Sequence, residues 1–191
     1  MPASDESWAS ETVRGLRAKC KADPMFLARE VLGASYAEVH GGVNYFRTPA
    51  PYHLEANEVL REGMNAIILA PRGHLKTEFV TVAGTIHFLL QNPNHRVLIM
   101  SETPKTAEKS LRAIKSHFQE NTILRALFPE VIPPEKKDDT WAASRINIPG
   151  HTGRPAPTVS VIGVGGTVTG MHYDLIIVDD MLSREAMENA R

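Results

Sequence analysis

The chain has 191 residues, 42% hydrophobic and 23% charged, with a formal net charge of -1. That balance excludes a disordered segment and a global basic field for nucleic acid, and the length suits one hydrophobic core. The single cysteine, Cys20, excludes a disulfide frame and a zinc cluster, and no apolar run approaches the roughly 20 residues of a membrane span.

In chain order, residues 1–48 read as a helical N-terminal arm. Helical patterning covers residues 8–19 and 24–32, with Asp23 as cap and Pro24 as first-turn proline. The stretch Thr48-Pro49-Ala50-Pro51 is the expected linker into a core spanning 49–191. A helix over 53–61 is followed by an apolar run at 66–70, the first expected core strand. Residues 77–91 carry apolar positions at helical spacing, closed by Asn92-Pro93. A strand over 96–100 and a long helix over 104–120 follow, with Thr103 as its cap. A Pro- and Lys-rich loop fills 131–140. Residues 145–148 and 158–164 read as an antiparallel strand pair. A glycine-rich stretch, 163–170, leads to the apolar run Leu175-Ile176-Ile177-Val178. Strands alternating with helices imply right-handed parallel crossovers, hence a three-layer α/β fold with a mostly parallel central sheet.

Two segments carry chemistry. The first, Ala70-Pro71-Arg72-Gly73-His74-Leu75-Lys76-Thr77, lies between an apolar run and a helix. This is the layout of a phosphate-binding loop, in which amides at a helix start hold phosphate oxygens and a lysine neutralises them. Pro71, Arg72, Gly73, His74 and Leu75 form the cradle, with Lys76 and Thr77 opening the helix. The second is Asp179-Asp180 at the C-terminal end of a strand, where open α/β sheets place ligands. Nucleoside triphosphate hydrolysis needs a magnesium ion, a carboxylate beside it and a group that orients water. Asp179 is assigned to the magnesium shell, and Asp180 to polarising water. Arg72, always charged, is read as stabilising the transition state at the γ-phosphate, the plainer reading being an arginine that points into solvent or pairs with an acid.

Other candidates have plainer readings beside functional ones. His53 is read either as stacking on a nucleotide base or as an exposed histidine at a helix start. Lys105, Lys109, Arg112 and Lys115 have helical spacing, which fits a solvated helix face better than a DNA groove. His172 and Tyr173 are expected to pack against the sheet edge. No two of the eight histidines have metal-ligand spacing with a nearby acid.

With these motifs placed, the chain resembles the ATPase domain of tailed-phage terminase large subunits, over residues 24–191. The residues carrying the resemblance are Tyr52-His53, 68–77, 97–103, 163–170 and 174–180, with Ser183-Arg184-Glu185 beyond. It implies a P-loop ATPase using ATP and Mg2+, with Lys76 and Thr77 on phosphate and magnesium and Asp179 and Asp180 as Walker B acids. It also implies a motor acting on double-stranded DNA in the host cytoplasm, with a small terminase subunit and a portal protein as partners and a homo-oligomeric ring as assembly. The chain departs from the family at Leu75, where glycine is usual, and at Asp180, where glutamate is common; Glu185 is then a substitute base. A chain ending at Arg191 lacks the family's nuclease domain, so a truncated product without nuclease activity is expected. The alternatives are a non-hydrolysing nucleotide-binding or docking module and a helicase-type ATPase.

Overall fold

The structure, a computed structural model, describes residues 5–33, 44, 46–133, 141–153 and 155–181. It begins with α1 (Asp5–Ala22), whose last turn carries Lys19 and Lys21, charges that suit the negative end of a helix dipole. Asp23 then caps α2 (Pro24–Phe26) by accepting the Met25 N–H, and the helix runs on as a π-helical segment, Leu27–Leu32. The same Met25 N–H is 2.8 Å from Asn57 Oδ1, tying this region to α3 (Pro51–Glu62). Gly63 ends α3 with φ 63, the left-handed turn that costs glycine nothing. The next helix begins as a π-helical segment, Thr77–Ala83, and continues as α4 (Gly84–Gln91).

Strand β1 (Val97–Ser101) is followed by α5 (Pro104–Glu120), which matches its expected limits. Thr103 Oγ1 accepts the Thr106 N–H at 3.2 Å, and Ala107, Leu111, Ile114 and Phe118 form the buried stripe that a 3.6-residue period demands. Next come α6 (Thr122–Leu127), a 3-10 turn at Pro129–Val131, and strands β2 (Arg145–Ile146), β3 (Val159–Gly163) and β4 (Leu175–Val178). The sheet order is β2-β3-β1-β4, with β1 parallel to both neighbours and β2 antiparallel to β3. This is an α/β fold with the expected antiparallel pair. Helix α5 covers β1 and β3, and one core joins Cys20, Leu27 and Val31 to Phe79, Ile86, Ile99, Phe118 and Val159.

The first expected strand is not a strand. Residues 64–70 are irregular, and Ile67 and Leu69 are 89% and 88% exposed. A run of β-branched and apolar residues becomes a strand only where a neighbour pairs with its backbone. Here a cavity of about 560 Å³ separates it from β4. Strand β4 is correspondingly an edge: it pairs with β1 alone, and Ile176 and Val178 are more than half exposed while Ile177 is buried.

Candidate functional site

The loop after residue 70 turns twice through left-handed backbone, at Gly73 (φ 79) and at Leu75 (φ 55). Glycine adopts this conformation freely, whereas a leucine there brings Cβ against a carbonyl. Leucine is held in place because its side chain is half-buried against the core. The Phe79 N–H donates to Leu75 O at 2.9 Å, so the helix starts directly behind the loop, and Phe79, Val82 and Ile86 anchor it in the core. Its first amides have no partner within the helix and point toward the loop.

His53 corrects both of its sequence readings. It is neither exposed nor open to a base: it is 5% exposed, with ring-edge contacts to Phe46 and Phe79 at 5.9 and 5.7 Å. Its Nδ1 accepts the Ala50 N–H at 3.1 Å, so the neutral ring carries its proton on Nε2. Nε2 is 3.2 Å from His74 O and within hydrogen-bond reach of the Tyr52 hydroxyl. Burial holds the His53 pKa below its ordinary value; the bond to the His74 carbonyl opposes this in part, and the charge of His74 adds a small further lowering. This histidine braces the backbone of the loop from beneath. Pro71, Arg72, Gly73 and His74 are exposed, and the His74 ring turns back on Arg72 O at 3.1 Å.

The two acids behave differently. Asp179 is buried; its N–H donates to Met100 O at 2.8 Å, and its Oδ2 accepts from the Thr81 hydroxyl at 2.9 Å. Asp180 has φ 49 and an exposed side chain, and Lys76 Nζ reaches its Oδ1 at 3.4 Å. Beyond the end of β4 the left-handed turn at Asp180 separates the two carboxylates, one buried and one exposed. The loop and the end of β4 therefore meet at Lys76 and Asp180. Lys76, Thr81, Asp179 and Asp180 line the cavity beside β4 together with apolar groups such as Leu60, Ile68 and Phe88 and further polar ones, Asn65 and His87 among them.

Thr81 was missed from the sequence. The available signal was its position four residues after Thr77, on the same helix face and one turn deeper. Thr77 itself is half-buried at the helix start. Glu185 lies outside the described residues. Among the other candidates, Thr103 caps α5, and Ser101-Glu102 sits at the same sheet edge through the Glu102 N–H to Asp180 O bond, 3.2 Å. The loop at 164–170 joins this edge through the Val164 N–H to Ser101 O bond, with Gly165 and Gly170 at positive φ. His172 is exposed rather than packed, while Tyr173 is half-buried at the rim of the cavity. Lys105, Lys109 and Arg112 are exposed on α5, whereas Lys115 is tied to the Trp141 and Ala142 carbonyls and lies over the Trp141 ring. Among the described residues, no cluster of three or more His, Cys, Asp or Glu could hold a metal, and no helix is long and apolar enough to cross a membrane.

No protein-family model matches the chain. It is 30% identical over 150 residues to the terminase large subunit of Enterobacteria phage T3, an alignment covering 75% of this chain and 24% of that protein. The chain thus spans about a quarter of the length of the curated relative it matches.

Proposed function

We propose that this chain is the ATP-hydrolysing part of a phage terminase large subunit, with a P-loop at 70–77, driving movement of double-stranded DNA. The observation that carries the reading is the meeting of Lys76 with Asp180, 104 positions apart in sequence, beside the buried Asp179. The similarity to a terminase large subunit supports it.

The residues fit a Mg-ATP site on one specific ground: a buried carboxylate, Asp179, keeps one oxygen beyond its bond to Thr81 and lines the same cavity as Lys76. Thr77 and Asp179 are the groups to hold the magnesium ion, which neutralises phosphate charge when bound. Loop amides and Lys76 bind the phosphate oxygens, and these oxygens compete with Asp180 for the lysine. Asp180, released, accepts a hydrogen bond from water and orients it; Arg72, exposed on the loop, stabilises the charge that develops. A small terminase subunit, a portal protein and further copies of the chain in a ring are the partners this reading brings with it. The exposed Lys105, Lys109 and Arg112 are its candidate DNA contacts.

The test is phosphate release by the purified protein with and without DNA. Lys76→Ala should lower turnover at least about 100-fold, the scale on which removing one transition-state charge contact acts. Unchanged turnover in that variant rejects the assignment. A second reading, a nucleotide-binding module that does not hydrolyse, is favoured by one observation, the strained Leu75 in the loop. Nucleotide binding without phosphate release in the wild type would establish it.

A further inference from the structure

We propose that Thr81 is a positioning residue for the magnesium ligand Asp179, fixing which carboxylate oxygen faces the ion; the proposal rests on the Mg-ATP reading above. Thr81 sits in the π-helical segment behind the loop and is 1% exposed, and Asp179 is 6% exposed at the end of β4. Their bond, Thr81 Oγ1 to Asp179 Oδ2 at 2.9 Å, is buried and joins positions 98 apart in sequence. A threonine hydroxyl has one proton to donate, and here the carboxylate takes it.

The consequence is geometric. With Oδ2 held by Thr81 and the Asp179 N–H held by Met100 O, the carboxylate can no longer rotate to present either oxygen equally. Oδ1 is the oxygen left to the ion. Hydrogen bonds of this kind orient metal ligands, and their loss weakens metal affinity or activity by about 10- to 100-fold. The same bond ties the helix that starts at Lys76 and Thr77 to the strand that ends at Asp179. Thr81 therefore sets the spacing between the two expected magnesium ligands, from one turn behind the first of them.

Thr81→Val keeps the side-chain shape and removes the hydroxyl, while Thr81→Ser keeps the hydroxyl. A fluorescent ATP analogue titrated at rising Mg2+, with an EDTA arm, reads the effect without turnover. The expected result is a Mg2+ midpoint about 10- to 100-fold higher in Thr81→Val, unchanged binding in EDTA, and near wild-type behaviour in Thr81→Ser. Should Thr81→Val not fold, Thr81→Ala against Thr81→Ser gives the same contrast. Wild-type Mg2+ response in the variants lacking the hydroxyl overturns the proposal alone. Wild-type protein that binds the analogue with no dependence on Mg2+ overturns the Mg-ATP reading, and this proposal with it.

Discussion

Leu75 offers a sharp test of the loop, because two substitutions should fall in the reverse of their usual order. At an ordinary position, glycine is less stable than alanine by about 0.5–1 kcal/mol, through the entropy of the unfolded chain. Leu75 has φ 55, where any residue with a Cβ is strained by about 1–2 kcal/mol. Its half-buried side chain is worth on the order of 1 kcal/mol, half the value of a fully buried leucine. Leu75→Ala loses that packing and keeps the strain, so it should be destabilised by about 1 kcal/mol. Leu75→Gly loses the packing and the entropy but releases the strain, so it should lie near the wild type and above Leu75→Ala by up to about 1 kcal/mol. Urea unfolding of the three proteins, with a common slope, reads these differences directly. A Leu75→Ala protein more stable than Leu75→Gly would refute the left-handed conformation, and with it the description of the loop.

Burial lowers the pKa values of His53, His87 and His117, the last to about 4, and these shifts set a pH dependence. Each binds a proton more weakly in the folded than in the unfolded chain, so their contribution is complete above the ordinary value of 6.5 and is lost as pH falls toward 4. His117 alone accounts for a loss of about 3 kcal/mol at most over that range. Urea midpoints at pH 7.5, 6 and 5 should decline steadily, and His117→Gln should flatten the decline; equal midpoints across the series would contradict it. Ile67→Lys and Leu69→Lys, at side chains almost fully exposed, should each change stability by less than about 0.5 kcal/mol. A loss of about 2 kcal/mol or more, as in a packed strand, would show that residues 64–70 are buried in solution.

What was legible in the sequence depended on how local the deciding interactions are. Helix α5 was readable at both ends, because its cap Thr103, first-turn Pro104 and apolar stripe all lie within its own residues. The same holds for the cap at Asp23, whereas β2 and β3 were readable because the two partners follow one another closely in sequence. Residues 66–70 carry a strand-like composition, but pairing depends on a neighbour, and β4 lies across a cavity from them. His53 was misread because nothing near it in sequence announces that Phe79 and Phe46 close around its ring. That Lys76 and the acids share one place in the fold was legible, since loop-to-helix and strand-to-acid patterns are short. Thr81 was not, because a threonine inside a helix looks ordinary until the buried acid opposite it is known.

The contrast between the two acids explains how such a site can be both rigid and responsive. The Lys76–Asp180 pair spans 3.4 Å with side chains 29% and 70% exposed, and an ion pair so open to water contributes about 0–1 kcal/mol. It does not place the loop. That task falls to Phe79, Val82 and Ile86 behind the helix start and to His53 beneath His74, all of them buried. Lys76 and Asp180 can therefore exchange partners at little cost, as their proposed roles at phosphate and water require. Asp179 is the opposite case: its carboxylate, buried and bonded to Thr81, would be costly to move, as suits the ion-holding role proposed for it. Adjacent residues of the same type thus acquire different duties from their surroundings, one from burial and the other from exposure.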